Sequence, residues 1–377
     1  MDAIIIGGGL AGLISGLELA RAGHSVTVIE RKTYPFHKVC GEYVSNEVRP
    51  YLESLGVDLQ TLGATHIDRF QFSAPSGRLL ETQLDMGGFG LSRYTLDASL
   101  YQLAQSAGVR FLLGKQAENV LFTNNTFSVE LNDGQSITSR LVIGSYGKRS
   151  KIDKQLQRSF LQNASPYVGV KYHIRIDAPA NTISLHNFRN GYCGLSSIED
   201  DKFCLCYLTT RADLRAFGTI PALERAVLFQ NPHLKRIYEN ADFLYEKPEV
   251  INEFSFANKR AVEQHVLMAG DSAGLITPLC GNGMAMAIHS GKLLGQLSSS
   301  YLRNKRTREQ LEQRYEKEWK SRFARRLWVG RSVQRLFGDK WLSEMAVLAF
   351  GAFKPLLRGV IQQTHGPVLT STPSIPE

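Results

Sequence analysis

Met1-Asp2-Ala3-Ile4-Ile5-Ile6-Gly7-Gly8-Gly9-Leu10-Ala11-Gly12, continuing to Val26-Thr27-Val28-Ile29-Glu30-Arg31, is the stretch that decides the fold. Ala3 to Ile6 is a short apolar run stopped by glycine, the pattern of a buried parallel strand. Gly7, Gly9 and Gly12 then supply G-x-G-x-x-G. In that motif the first glycine permits a tight turn and the second lets backbone approach a pyrophosphate. The third lets a helix pack closely on the strand. A helix is predicted from about Leu10 to Ala22, ended by Gly23, with its free N–H groups and positive dipole end aimed at the phosphate. His24 to Ile29 reads as a second strand. Glu30 falls at its tip, eighteen residues past Gly12, where a carboxylate accepts hydrogen bonds from a ribose. The glycines alone are a weak signal. Strand, glycines, helix, glycine stop, strand and acid in register specify a dinucleotide site. A signal peptide would carry positive charge ahead of its apolar run, whereas Asp2 precedes this one.

Composition bounds the rest. A chain of 377 residues has room for two interleaved lobes and an extension. No apolar run approaches the roughly eighteen residues of a membrane span. The longest, Met345 to Phe353, is about half that length. Cys40, Cys193, Cys204, Cys206 and Cys280 are odd in number and lack a secreted-type framework, so a reducing cytoplasm is the expected compartment. Cys204 and Cys206 sit two apart on a strand, on one face, with no second pair at ligand spacing. They read as core positions, and no metal is expected.

The net charge of +9 is concentrated. Arg303 to Arg335 holds twelve Lys/Arg against four Glu, a net of +8, which leaves the remainder near neutral. Such a segment suits an anionic inner membrane face or an acidic partner protein. It lacks any recognition motif for nucleic acid. From Thr307 a long helix is predicted, with Leu311, Tyr315, Trp319, Phe323 and Leu327 spaced by four, a stripe that reads first as packing against the body.

Between these ends, residues 65 to 92 alternate apolar and polar as strands of a second lobe. Thr95 is placed to cap a helix from Leu96 to Ala107, which Gly108 stops. Strands are expected at Val109 to Leu113, Leu141 to Gly144, Val168 to Ile174, Thr182 to His186 and Phe203 to Thr209, with a helical piece around Pro221 to Asn240. A further buried strand leads into Gly270-Asp271, and Pro278-Leu279-Cys280-Gly281-Asn282-Gly283-Met284 opens a helix running to about Ser298. The tail after Gly366 is expected to fray.

The G-x-G-x-x-G with Glu30, Arg93 ahead of a leucine-spaced helix, and the late Gly270-Asp271 with a glycine-rich helix start resemble FAD-dependent oxidoreductases of the para-hydroxybenzoate hydroxylase type. Lys38-Val39-Cys40-Gly41 is most similar to the geranylgeranyl reductase branch of that superfamily. The resemblance covers roughly residues 1 to 300 and implies an α/β fold. A Rossmann-type, glutathione-reductase-like FAD lobe (1–64, 93–160 and 257–300) interleaves with an antiparallel-sheet substrate lobe (65–92 and 161–256). A helical basic extension (301–377) follows.

The resemblance also implies roles for particular residues. Gly7, Gly9, Ala11 and Gly12 would cradle the pyrophosphate of FAD, Glu30 the adenosine ribose with Arg31 beside it, and Ala117 the adenine. Arg93 and Asp271, with Gly270, would reach the ribityl and phosphate region. Gly41, Gly281, Asn282, Gly283 and Met284 would lie by the isoalloxazine, where a helix N-terminus favours negative charge on the reduced ring. Cys40 would be the catalytic candidate, donating a proton or tuning the ring, with a small buried turn residue as its plainer reading. Lys38, Tyr172 and Tyr192 are candidate substrate contacts, with His37 and His173 as further candidates for the pocket.

Two departures stand out. Tyr146 in Gly144-Ser145-Tyr146-Gly147-Lys148-Arg149-Ser150 replaces the acid that the hydroxylases carry in a segment associated with nicotinamide nucleotide. Gly191-Tyr192-Cys193-Gly194 stands where the reductase branch has Gly-Trp. NADPH or NADH is therefore only a possible electron donor. The tryptophan-rich motif and lysine of flavin halogenases are not found, so halogenation is not expected. Hydroxylation of an apolar or aromatic small molecule leads. Reduction of carbon–carbon double bonds in an isoprenoid or lipid is the alternative, and electron transfer to a docked partner protein the outside reading.

Overall fold

A computed structural model of the chain describes residues 1–162, 166–277, 281–334 and 339–371. Cys280 with its neighbours Pro278 and Leu279, and Arg335, lie outside the described residues. The opening stretch forms strand Ala3–Ile6, helix Leu10–Arg21 and strand Val26–Glu30. Ala3–Ile6 is buried throughout because it lies mid-sheet, parallel to Val26–Glu30 on one side and Leu141–Gly144 on the other. The six-stranded sheet runs Val262–Glu263, Val266–Met268, Leu141–Gly144, Ala3–Ile6, Val26–Glu30, Arg110–Leu113, and only the Val262–Glu263 pairing is antiparallel. The chain leaves Ala3–Ile6 to one side and later returns on the other. That reversal opens a crevice beyond the carboxyl ends of the strands.

The second sheet has nine strands, along the path Asp242–Phe243, Tyr167–Arg175, Lys202–Thr210, Gly191–Ile198, Thr182–Phe188, Thr65–Ser73, Leu79–Gly90, Tyr43–Ser45. Glu249–Phe254 adds to Tyr167–Arg175. All these pairings are antiparallel except Thr182–Phe188 with Thr65–Ser73. Residues 43–45, expected within the FAD lobe, pair instead with 88–90 of this sheet, so the chain crosses between lobes before residue 65. A small three-stranded sheet spans Ala117 to Ser139.

Two boundaries differ from expectation for local reasons. The Arg93 helix begins at Arg93 and runs to Ser106, because Ser92, in extended backbone, is the cap and accepts the Thr95 N–H. Glu199 locks that cap, accepting from the Ser92 N–H at 2.8 Å. The single helical piece around 221–240 is two helices, Ile220–Ala226 and Pro232–Asn240, because Pro232 disfavours helix at Asn231, which caps the second.

Helix Gly283–Leu302 packs on Leu10–Arg21, and the basic helix Arg308–Gln334 packs on Gly283–Leu302. Leu311, Tyr315, Trp319 and Phe323 are buried in that contact, worth roughly 1.5–3 kcal/mol each. The stripe thus faces the protein. The tail departs from expectation as far as residue 371, and residues 372–377 lie outside the described residues. Gly366 and Leu369 donate backbone N–H groups to Glu47, and Leu369 is buried.

Candidate active site

One cavity of about 840 Å³ extends from the glycine turn to the nine-stranded sheet. At its first end the walls are backbone. Gly7 holds φ +104°, and a Cβ there would lie 2.6 Å from the Ser145 carbonyl oxygen. A Cβ on Gly12 would come within 2.1 Å of the Gly7 carbonyl oxygen. Gly9 differs. Its missing Cβ would face open cavity, with the Lys38 Nζ at 3.7 Å and the Arg93 Nη2 at 3.8 Å as nearest atoms. Helix Leu10–Arg21 has no side-chain cap, so its first N–H groups await an acceptor. An open glycine cradle, an uncapped helix start and two cations fit a pyrophosphate.

Glu30 lies at the strand tip. Its Oε2 accepts the Gly8 N–H at 2.8 Å and its Oε1 the Lys32 N–H at 3.1 Å, which aims the carboxylate along the cavity edge. Arg31, Lys115, Gln116 and Ala117 line the same end. Arg93 forks onto Asp97 with two bonds of 2.7 Å, and Lys38 Nζ meets the same carboxylate at 2.8 Å. Burial would raise the Asp97 acid, but Arg93 and Lys38 hold it below the ordinary range. Gly270 and Asp271 line the cavity opposite. Lys259, drawn down to about 8 by burial, donates to the carbonyls of Asp271 and Lys148 and fixes the two loops together. The Tyr146 hydroxyl is engaged by Asp153 at 3.0 Å, with Arg158 on the same carboxylate at 2.9 Å. Lys148 and Arg149 line the cavity beside it.

Gly281, Gly283 and Met284 line the far end, at the start of helix Gly283–Leu302, which again lacks a side-chain cap. Asn282 does not line the cavity. Its amide donates to the Thr364 carbonyl at 2.6 Å and so ties this helix start to the C-terminal helices. Gly12 also stays out of the lining, packed under Gly7. Cys40 and Gly41 line the cavity, with the Cys40 Sγ 3.3 Å from the Met284 Sδ.

The loop from Phe36 to Glu42 is pinned from beneath. Glu42 is fully buried and holds φ +54°, a left-handed conformation costly for a residue with a side chain. Its carboxylate accepts from Lys171 Nζ at 2.5 Å, the Arg93 N–H at 2.8 Å and His173 Nε2 at 2.6 Å. Burial would raise the Glu42 carboxyl, yet Lys171 and His173 bring it down to about 2. The Tyr245 hydroxyl then links His173 to His37, at 2.9 and 3.1 Å. Glu42, His173 and Cys204 have donor atoms within 4.8 Å of one another. The ammonium of Lys171 already occupies the carboxylate, and burial pushes the Cys204 thiol up, so the trio is a structural knot.

Over the far end the wall is aliphatic: Ile183, Leu185, Leu208, Ile251, Leu275 and Ile276. Tyr192 lines it too, but Tyr172 does not. Neighbours on a strand point oppositely, so Lys171 and His173 face the loop while Tyr172 faces the second core and donates to Glu224 at 3.0 Å. Tyr43 lines the cavity with a buried hydroxyl that has no hydrogen-bond partner among the described residues, next to Gly281. Burial pushes this phenol up, and Glu47 adds to the shift, so it holds its proton. Sequence reasoning missed Tyr43, Glu42 and Lys171. The signal for Lys171 was its place beside His173 in the alternation of the otherwise apolar strand Val168 to Ile174.

A crevice at a strand-order reversal, a glycine cradle, an acid at the second strand tip and a far wall of aliphatic side chains define an FAD-dependent oxidoreductase. The family model described as FAD binding domain matches residues 1–328, and the chain belongs to that family. It is 24% identical to digeranylgeranylglycerophospholipid reductase 2 of Methanopyrus kandleri, over 92% of this chain and 89% of that one. With menaquinone reductase of Mycobacterium tuberculosis it shares 26% identity, over 79% and 76% of the two chains. The flavin-dependent brominase Bmp2 superposes with a TM-score of 0.79 at 16% identity, covering 96% of this chain and 92% of that one, a likeness of fold. No helix among the described residues is long and apolar enough to cross a membrane.

Proposed function

We propose that the protein uses FAD to reduce carbon–carbon double bonds in an isoprenoid-chain lipid. The observation that carries this reading is the aliphatic wall. Ile183, Leu185, Leu208, Ile251, Leu275 and Ile276 offer an apolar chain desolvation without any fixed charge. A phenol to be hydroxylated would need polar groups to orient it, and none of these six side chains supplies one. The reductase names among the relatives point the same way.

FAD, once bound and reduced by the electron donor, would supply two electrons as hydride. The chain's own residues do the remainder. The cradle at Gly9, with Lys38 and Arg93, binds the pyrophosphate, and the Glu42 knot holds Cys40 and Gly41 against the reacting end. The aliphatic wall excludes water. The second hydrogen arrives as a proton, and Tyr43 Oη and Cys40 Sγ are two candidate donors that line the cavity. The Tyr43 hydroxyl has no partner among the described residues while the Cys40 thiol is engaged with Met284, which favours Tyr43 as donor. The electron donor is a nicotinamide nucleotide or a separate protein. Lys148 and Arg149 suit the phosphate of the former.

The test is to reduce the holoprotein without oxygen, add a geranylgeranyl-chain lipid and weigh the product. A gain of two hydrogens per double bond is expected. A product formed only in air, heavier by one oxygen, overturns the reading in favour of hydroxylation.

A further inference from the structure

The last two helices, Lys340–Ala352 and Lys354–Thr364, present apolar side chains on both sides. Val347 and Leu357 point inward and are buried in a cluster with Leu185, Tyr192, Leu208 and Leu275, all of which line the cavity. This pair of helices therefore backs the aliphatic wall itself. Glu344 is turned onto the Ser76 N–H at 3.0 Å, which consumes the acid between Trp341 and Phe353.

The other side is exposed. Trp341 at 68%, Met345, Leu348, Phe353 at 60% and Leu356 stand in solvent. Trp341, Met345 and Leu348 are spaced four and three apart, one continuous helical face, and Phe353 and Leu356 extend it around the turn. A face of this kind on a protein surface marks an interaction site. The charge nearby identifies the partner. Lys317, Lys320 and Arg325 are exposed along the outer side of the basic helix, which ends past an exposed Trp328 and packs on the last helix. Basic residues, exposed tryptophans and an uncharged apolar face together match an anionic lipid interface.

We propose that the hairpin of residues 340–364 lies in the interface of an anionic lipid bilayer, with Trp341, Leu348 and Phe353 inserted. The cavity then stands directly behind the inserted helices, placed to receive an apolar substrate from that surface. The surface contact does not depend on which reaction the cavity performs, so its failure is separable from failure of the reductase reading.

The test uses the full FAD-loaded chain with vesicles of phosphatidylcholine, with or without phosphatidylglycerol. Wild type is expected to sediment with phosphatidylglycerol vesicles and to shift its tryptophan emission to the blue. The triple variant Trp341→Ser, Leu348→Ser, Phe353→Ser should keep its FAD and lose about tenfold or more in partitioning, since each apolar side chain contributes through its buried area. Lys317→Glu, Lys320→Glu, Arg325→Glu should lose the preference for phosphatidylglycerol. Turnover of a detergent-dispersed lipid should be the same in the first variant as in wild type. Wild type remaining in the supernatant overturns the proposal, as does a triple variant that sediments like wild type. A wild-type dimer that the triple variant converts to monomer overturns it too, because the face would then belong to a second copy.

Discussion

The two ends of the cavity are built from different material. At the pyrophosphate end the walls are backbone: Gly7 turned to φ +104°, Gly9 left open, and the uncapped start of Leu10–Arg21. At the far end the walls are side chains gathered from remote strands, Leu185 and Leu208 among them, over a loop held by Glu42. Backbone sites depend on local φ, ψ and glycine spacing. Side-chain sites depend on long-range register. The first kind determines which cofactor binds, and the second determines what it acts on.

The comparison breaks most visibly at Gly12. Gly12→Ala places a Cβ 2.1 Å from the Gly7 carbonyl oxygen, an overlap that costs about 3 kcal/mol or more and should leave purified protein without flavin absorbance. Normal flavin content would refute the cradle. Next is the knot. Glu42→Gln leaves Lys171 buried without its carboxylate, an expected loss of about 3–5 kcal/mol in urea unfolding, with FAD affinity changing less than turnover. The pH dependence has a definite sign. The Glu42 carboxyl sits at about 2 against an ordinary 4.5, so its contribution is full above 4.5 and is lost as pH falls toward 2. In Glu42→Gln the acid limb of the stability profile should flatten over that range. An unchanged limb would contradict the assignment.

Tyr43→Phe sharpens the comparison at the substrate end. If the hydroxyl gives the proton, turnover falls about a hundredfold with flavin content unchanged, whereas Cys40→Ala changes turnover less. The reverse ordering would move the proton to Cys40. Smallest is Glu30→Ala, which removes a ribose acceptor and a brace on Gly8, for roughly tenfold weaker FAD retention.

That division also explains what the chain disclosed before its fold was known. The nucleotide end was legible because Gly7, Gly9, Gly12 and Glu30 act through spacing along thirty residues. The boundaries at Ser92 and Asn231 were readable only in part, since capping depends on which hydroxyl or amide takes the extended conformation. Tyr172 was misplaced among the substrate contacts because alternation alone does not reveal which face of a strand meets the cavity. The resemblance implied a cofactor contact for Asn282, yet its amide partner, Thr364, is eighty-two residues away. The tail after Gly366 was expected to fray because the acceptor that holds it, Glu47, is more than three hundred residues distant. Tyr43 gave no sequence signal because an unpaired hydroxyl exists only once the fold buries it.

The most direct measurement is paired on one variant, Ile183→Lys, which sets a charge in the half-buried aliphatic wall far from the glycine cradle. FAD affinity is measured by titrating the apo protein, and turnover on a geranylgeranyl-chain lipid is measured in parallel. FAD affinity is expected within about twofold of wild type and turnover lower by about tenfold or more, because an uncompensated charge opposes an apolar chain. Turnover equal to wild type, or flavin affinity falling in step with it, would contradict the division between the two ends.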